Sequence, residues 1–156
     1  FKMYKFRTMC PDAEQKLKDL MERNEKDGPV FKMKNDPRIT RVGKFLRKTS
    51  IDELPQLFNV LKGEMSIVGP RPERPEIAAQ YEKEMPEFAL RLQAKAGLTG
   101  YAQVYGKYNT TPYDKLKLDL TYIRNYSVLE DLKLIIMTPK IMLMKESTEG
   151  VKEEQK

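Results

Sequence analysis

The sequence contains no histidine, one cysteine, and no apolar run near the roughly 20 residues of a membrane-spanning helix. Because imidazole is the commonest general base at neutral pH, the absence of histidine excludes imidazole-based triads and the usual zinc sites. Cys10 alone cannot form an intrachain disulfide, which fits a reducing compartment. Any catalysis must therefore use carboxylates, lysine, arginine, tyrosine or this thiol.

Basic residues are abundant by contrast. The 156 residues include 29 Lys and Arg against 23 Asp and Glu, which gives a formal net charge of +6. A chain of this length can bury the core of one domain without disulfides or a structural metal. The charge indicates an anionic partner, which could be nucleic acid, a lipid surface or a phosphorylated small molecule.

The first third of the chain predicts a strand, two helices and a long loop. Residues 1–9 mix aromatic, basic and apolar side chains as a short strand does, and Pro11 then opens a helix. Residues 24–37 contain two turn-forming Asp and Pro clusters and predict a loop. Residues 39–48 predict a basic helix with one apolar stripe, formed by Ile39, Val42, Phe45 and Leu46.

The middle of the chain alternates short apolar segments with proline and glycine. Apolar residues at helical spacing predict an amphipathic helix over 54–61 that ends at Gly63, followed by a buried strand over 65–68. A helix then starts at Pro75 and is broken by Pro86. The glycine-punctuated residues 97–106 predict a strand and a turn.

Two longer helices complete the predicted fold. Thr111 and Pro112 form a good helix start, and Ser127 with Glu130 forms a capping box for a last, mostly apolar helix that reaches Met144 with a kink at Pro139. The fold class expected from these segments is α+β, mostly helical, with a small sheet or hairpin and amphipathic helices suited to a membrane surface.

Two adjacent carboxylates, Asp52 and Glu53, follow the basic helix. The plain interpretation is that Ser50 to Glu53 form a capping box whose acids complement a helix N-terminus, and spacing alone favours it. A helix that starts at Asp52 instead would place Pro55 in the first turn, where its missing N–H costs nothing. Asp52 would then stand at the helix mouth as a nucleophile or metal ligand.

Arg71 lies between two prolines, which stiffen its backbone. Its guanidinium is therefore well placed to make two hydrogen bonds to a phosphate. A polyproline-type linker with an exposed arginine is an equal alternative. Gly97 and Gly100 allow close approach of backbone to an anion, although most such glycines only serve turns. Asp119 and Asp131 have surface or capping roles as their default, and either could complete an oxygen-rich Mg²⁺ site with the acidic pair.

Taken together, these motifs resemble the bacterial sugar transferase family, the catalytic domain of monotopic polyprenyl-phosphate phosphoglycosyl transferases. The ordered set is specific, whereas each motif alone is weak. It comprises residues 1–9, 36–40, Asp52-Glu53, 57–66, Gly69-Pro70-Arg71-Pro72, Leu118-Asp119 and 131–133.

The resemblance implies transfer of a sugar 1-phosphate from a nucleotide-diphosphate sugar to polyprenyl (undecaprenyl) phosphate, through an aspartyl-phosphosugar intermediate. It implies that this step begins the synthesis of an exopolysaccharide, capsule or other glycan at the cytoplasmic face of the bacterial inner membrane. Carried over by motif, Asp52 is the nucleophile and Glu53 its neighbour in a Mg²⁺ site. The remaining implied residues are Arg47, Arg71 and Lys107 for phosphate, and Asp119 and Asp131 as further Mg²⁺ ligands.

Residues 1–145 are expected to form the catalytic domain, and residues 146–156 a polar tail. Two departures from the family pattern stand out: Ala96 stands where the family usually has a proline, and the family's hydrophobic membrane-inserting segment ahead of Phe1 is missing, so an excised catalytic domain is expected. The rival interpretations are a basic nucleic-acid-binding module and a catalytically silent domain that docks on anionic membranes. Paired acids beside the basic helix argue against nucleic acid, because they would repel a phosphate backbone.

Overall fold

A computed structural model describes residues 1–24, 30–31, 33, 35–106 and 110–143. The chain divides into two compact units. The N-terminal unit is Tyr4–Pro55, and the C-terminal unit comprises Phe1–Met3 together with the chain from Gln56 onward. Seven α-helices and a two-stranded sheet in the described residues confirm the predicted α+β, mostly helical class.

The N-terminal unit contains α1 (Ala13–Leu20) and α2 (Arg41–Lys48), followed by a 3-10 turn over Ile51–Glu53. Helix α2 begins two residues later than predicted, because Thr40 caps it: the backbone N–H of Gly43 donates to Thr40 Oγ1 over 2.9 Å. The described part of the predicted loop over 24–37 forms neither a helix nor a strand.

The predicted strand over residues 1–9 is wrong. The segment forms one isolated antiparallel bridge, between Met9 and Ile39. The bridge consists of backbone bonds from Thr40 N–H to the carbonyl of Thr8 and from Cys10 N–H to the carbonyl of Arg38, and one further bond runs from Phe6 N–H to the carbonyl of Asp52. A strand needs a partner along its length, and these scattered bonds tie the segment to two different places instead.

The C-terminal unit is built around a parallel pair of strands, β1 (Ser66–Val68) and β2 (Gly97–Thr99), in which Ser66 pairs with Gly97 and Val68 with Thr99. Strand β1 confirms the prediction over 65–68. The strand-and-turn prediction over 97–106 holds only for β2, because Tyr101–Tyr105 form helix α5. Val68, Val104, Tyr122 and Leu134 are the buried centre of this unit.

The remaining helices of this unit follow the sequence signals closely. They are α3 (Gln56–Leu61), α4 (Pro75–Glu84), a 3-10 segment (Pro86–Gln93), α6 (Pro112–Asn125) and α7 (Val128–Leu143). Thr111 caps α6 by accepting from Asp114 N–H, and Ser127 Oγ accepts from Glu130 N–H at the start of α7. Helix α7 continues through Pro139.

Helix α3 has the predicted periodicity but is oriented opposite to the usual arrangement. Its polar residues Gln56 and Asn59 are buried, whereas Leu57, Phe58 and Leu61 are exposed. Asn59 Nδ2 explains this, because it donates to the backbone carbonyl of Lys2 over 2.9 Å and to the Glu64 carboxylate over 2.7 Å. Buried polar groups with partners are stable inside a fold, and the apolar face is left outside.

Helix α7 also exposes apolar residues. Leu134 is fully buried, while the opposite part of the helix surface presents Val128, Leu129, Leu132 and Ile136. No described helix has both the length and the apolar character needed to cross a membrane. The apolar surfaces of α3 and α7 are larger than isolated exposed leucines on soluble proteins and indicate an interaction surface.

Candidate active site

The acidic pair lies in the 3-10 turn that follows α2. Ser50 precedes the turn and has a left-handed backbone with φ of 54°, the only positive φ among the described non-glycine residues. The expected capping box is wrong, because the Ser50 side chain caps no N–H, and α3 starts only after Pro55. A serine held in this uncommon conformation is a feature that clusters at functional sites.

Asp52 is 3% exposed, and its carboxylate faces a lysine that the sequence analysis did not select. Lys5 Nζ lies 3.1 Å from Asp52 Oδ2 and 3.1 Å from Glu53 Oε1. The two carboxylates therefore converge on one cation. The sequence offered no means of separating Lys5 from Lys2 or Arg7, because all three belong to the same basic and aromatic segment.

Arg47 lies in the last turn of α2 and is fixed by the same N-terminal segment. Its Nε donates to Thr8 Oγ1 over 2.9 Å, and Thr8 is buried. Gly43 permits this arrangement, because a Cβ at that position would lie only 2.0 Å from the Thr8 carbonyl oxygen. The cation that the structure places against Asp52 is Lys5.

A buried ion pair between Asp36 and Arg38 also holds the N-terminal segment in place. Arg38 forks onto Asp36, with Nε 2.9 Å from Oδ1 and Nη2 2.7 Å from Oδ2. The guanidinium holds the pKa of the Asp36 carboxyl below its usual range, chiefly through these hydrogen bonds. The Arg38 carbonyl also accepts from Cys10 N–H, so the pair anchors the segment that carries Lys5 and Thr8.

In the C-terminal unit, Arg71 lies in the corner that follows β1. The N–H of Gly69 donates to the Thr99 carbonyl over 2.8 Å, and the N–H of Gly97 donates to the Pro70 carbonyl over 2.9 Å. The two glycine backbones pack against each other, since a Cβ on Gly97 would lie 2.1 Å from Gly69 N. Arg71 lines an open pocket beyond this corner.

Asp119 of α6 is 1% exposed and is paired with another residue that the sequence analysis missed. Arg91 Nε donates to Asp119 Oδ2 over 2.6 Å. Burial raises the pKa of the Asp119 carboxyl, and the Arg91 charge opposes that shift. The only sequence signal for this pair is an arginine set between Leu90 and Leu92 in an otherwise apolar segment.

Asp131 of α7 accepts a hydrogen bond of 2.8 Å from the hydroxyl of Tyr122, a core residue of α6. Burial and this carboxylate both raise the pKa of Tyr122, so that its hydroxyl stays protonated as a donor. The structure thus gives Asp119 and Asp131 different partners. Lys107, the third expected phosphate-binding residue, lies outside the described residues.

The expected Mg²⁺ site can be tested against the donors present. Asp52 and Glu53 fit, because two carboxylates that already share one cation supply the oxygen ligands that Mg²⁺ prefers. Within the described ranges, no three or more acidic or cysteine side chains come together as a ready-made metal cluster. Magnesium commonly takes one or two protein carboxylates and completes its shell with water and phosphate. The wider set with Asp119 and Asp131 stays a prediction.

Comparison with known proteins shows which family and which relatives this sequence matches. The model of a family described as "Bacterial sugar transferase" matches residues 1–145. A galactosyl transferase, CpsE, of Streptococcus agalactiae is 50% identical over 92% of this chain and 32% of its own length. The undecaprenyl-phosphate galactose phosphotransferase of Salmonella typhimurium is 44% identical over 94% of this chain and 31% of its own length.

A third relative is the UDP-glucose:undecaprenyl-phosphate glucose-1-phosphate transferase of Klebsiella pneumoniae, 44% identical over 88% of this chain and 28% of its own length. The chain thus spans about a third of the length of the curated relatives that it matches. The names of the Salmonella and Klebsiella relatives describe enzymes that transfer phosphate-containing groups.

Proposed function

Because the chain belongs to the bacterial sugar transferase family, we propose that the protein transfers a sugar 1-phosphate from a nucleotide-diphosphate sugar to polyprenyl phosphate. The names of the Salmonella and Klebsiella relatives support undecaprenyl phosphate as the acceptor. The Klebsiella name supports a UDP-sugar as the donor. The product would begin the assembly of a glycan such as an exopolysaccharide or capsule.

The proposed reaction has two displacements at one phosphorus atom. An Asp52 carboxylate oxygen forms a bond to the sugar-linked phosphorus, and the bond from that phosphorus to the bridging oxygen breaks, releasing the nucleoside monophosphate. An oxygen of polyprenyl phosphate then attacks the same phosphorus, and the aspartyl bond breaks. The carboxylate is restored, and the sugar phosphate leaves on a lipid diphosphate.

The observation that carries the proposal is the placement of Asp52 against Lys5. A carboxylate is repelled by a diphosphate unless positive charge lies beside it. Lys5 Nζ is 3.1 Å from the Asp52 carboxylate, and its side chain is 36% exposed, so it borders solvent where a substrate can arrive. The Lys5 ammonium can therefore offset the repulsion and attract a diphosphate to the nucleophile.

Asp52 and Glu53 would also hold Mg²⁺, which when bound would screen the charge of the diphosphate and stabilise negative charge in the transition state. We propose Asp119 and Asp131 as further ligands on motif grounds. Arg47, whose Nε is fixed by Thr8, and Arg71, in its proline-bounded corner, are proposed to bind phosphate oxygens. Lys107 is proposed for the same role from its motif position.

The lipid acceptor places a further requirement on the surface, because polyprenyl phosphate lies in a membrane. Helices α3 and α7 expose apolar side chains, and α2 combines exposed Val42 and Phe45 with several basic residues. Apolar and cationic side chains together favour the surface of an anionic bilayer. We therefore propose that the protein works at the cytoplasmic face of the bacterial inner membrane.

The proposal is tested by measuring transfer of radiolabelled sugar phosphate into the lipid fraction. The full-length protein is incubated with undecaprenyl phosphate, Mg²⁺ and a panel of UDP-sugars. Transfer from at least one donor is expected, with stoichiometric release of UMP. Asp52→Asn should abolish transfer, while Asp19→Asn, which changes an exposed carboxylate of α1, should leave it intact.

Three outcomes would contradict the proposal. Full transfer by Asp52→Asn would show that Asp52 is not the nucleophile. Absence of transfer from every donor, combined with vesicle binding that survives Asp52→Asn, would favour the silent membrane-docking domain. Tight oligonucleotide binding that falls with salt and ignores EDTA would favour the nucleic-acid module.

A further inference from the structure

Arg91 makes three contacts that join separate parts of the C-terminal unit. Its Nε donates to Asp119 Oδ2 over 2.6 Å, and its Nη2 donates to the backbone carbonyl of Arg71 over 2.8 Å. Its guanidinium carbon lies 4.7 Å from the centre of the Phe88 ring. The side chain is 6% exposed. It therefore connects α6 to the corner after β1 in the interior of the unit.

The corner that Arg91 contacts has few backbone donors of its own. Pro70 and Pro72 flank Arg71 and lack an N–H. The carbonyls of residues 70 and 71 are fixed from two sides, the first by the N–H of Gly97 in β2 and the second by Arg91. The Arg91 contact thus fixes the backbone at Arg71 itself, one residue beyond the carbonyl that Gly97 holds.

The arginine is itself held firmly in place. Asp119 is buried and fixes one edge of the guanidinium, while Phe88, also buried, covers a face of it. The donors Nε and Nη2 form one rigid plane, so the position of Asp119 sets the position of the Arg71 carbonyl. A lysine has a single nitrogen and cannot hold the same two acceptors in this geometry.

We propose that Arg91 is a positioning residue, which links the Asp119 carboxylate to the backbone of Arg71 and so aims the Arg71 side chain at the donor diphosphate. The inference rests on the proposed function, in which Arg71 binds that diphosphate. Arg91 itself touches no substrate in this account. Arg91 contributes to binding of the donor, and binding of the polyprenyl phosphate acceptor should not depend on it.

The test compares Arg91→Lys with Arg124→Lys in the full-length protein. Arg124 is an exposed arginine at the end of α6 and serves as a matched control. We expect Arg91→Lys to lower kcat/KM for the UDP-sugar about 10- to 100-fold, since small misplacements of a positioning group have effects of this size. The loss should come from a raised KM for the donor, with an unchanged KM for undecaprenyl phosphate.

A merely structural ion pair would give a different pattern. It would reduce the folded fraction and lower activity toward both substrates equally, with both KM values kept. A kcat/KM of Arg91→Lys within twofold of wild type would also overturn the inference. If Arg91→Lys does not fold, Asp119→Asn takes its place, because it keeps an acceptor for Arg91 but weakens the hydrogen bond between them. Its readout is binding of UDP without Mg²⁺, to which the proposed role of Asp119 as a metal ligand cannot contribute, and weaker binding than in wild type is expected.

Binding of UDP, measured by calorimetry on the same proteins, separates this inference from the proposed function. Weaker UDP binding by Arg91→Lys than by Arg124→Lys supports positioning even if no donor is turned over. Equal UDP binding by both variants overturns it. In an Arg71→Ala background, Arg91→Lys should have no further effect on UDP binding, because the group that it positions is gone.

Discussion

Each unit of the protein pairs a buried aspartate with a cation, but the two cations differ in kind. In the N-terminal unit, the partner of Asp52 is Lys5, whose side chain is 36% exposed. In the C-terminal unit, the partner of Asp119 is Arg91, whose side chain is 6% exposed. An exposed ammonium is a single charge on a mobile side chain, whereas a buried guanidinium donates several hydrogen bonds in one fixed plane.

This difference in exposure indicates that the Asp52 pair takes part in the reaction, whereas the Asp119 pair mainly stabilises the fold. Lys5 borders solvent, so water can hydrate its ammonium when the Asp52 carboxylate turns to a substrate or a metal ion. A buried pair cannot be broken cheaply, because the remaining charge would be left without a partner. Changes at the Asp52 pair should therefore reduce activity, and changes at the Asp119 pair should also reduce stability.

The largest effect is expected from Asp52→Asn. Loss of the nucleophile should reduce transfer about 10⁴-fold or more, while the free energy of unfolding changes by about 1 kcal/mol or less. Transfer assays and urea unfolding on the same preparation measure both quantities. Unfolding that accompanies the loss of activity would mean that Asp52 stabilises the fold and would erase the contrast between the two pairs.

Asp119→Ala should have the largest effect on stability. Removal of this carboxylate leaves Arg91 buried and unpaired, which costs about 3–5 kcal/mol in the free energy of unfolding. Urea unfolding should show this loss, and Asp19→Ala, at an exposed position, should stay near zero. Replacement of both partners, Arg91→Met with Asp119→Leu, should recover most of the stability. A loss below 1 kcal/mol in Asp119→Ala would show that the pair is not a scaffold.

Lys5→Met should reduce turnover by about 10- to 100-fold, in the range of a single electrostatic contact to a developing charge. Its effect on the free energy of unfolding should be smaller than that of Asp119→Ala, because the ammonium that it removes is partly exposed. Lys18→Met, on the exposed face of α1, is the matched control for charge. Unchanged turnover in Lys5→Met, measured at low salt and saturating Mg²⁺, would remove Lys5 from the account.

The pH dependence of stability should report on the buried Asp36 and Arg38 pair. The pKa of Asp36 is lowered in the folded protein, so the pair stabilises the fold above the unfolded pKa of about 3.9. That contribution is lost as pH falls through the lower, folded pKa. The difference in unfolding free energy between wild type and Asp36→Asn should be full at pH 6 and shrink toward pH 2. A difference that stays constant would contradict the assigned direction.

The sequence predicted well those elements that depend on local signals. Thr111 and Ser127 cap α6 and α7 as expected, because a capping hydroxyl acts on N–H groups within three residues. Gly63 has the left-handed φ of 75° expected for the end of α3. These interactions involve neighbours in the chain, so spacing is sufficient to find them.

Other features depend on contacts with distant residues. The period of α3 was correct, but which face is buried was decided by Asn59, through its bonds to Lys2 and Glu64. Lys5 and Arg91 lie 47 and 28 residues from their carboxylate partners, and no spacing rule connects such positions. The sequence therefore identified the acids of the candidate site but not the cations that face them.

The most direct test of the central claim is the intact mass of the protein after incubation with Mg²⁺ and a panel of UDP-sugars, without any lipid acceptor. A mass increase equal to one sugar phosphate is expected in the wild type and in Asp19→Asn, located on the peptide that contains Asp52. Asp52→Asn should show no increase, and added undecaprenyl phosphate should discharge the adduct. Turnover with lipid but no adduct on Asp52 under any donor would contradict covalent catalysis at this residue.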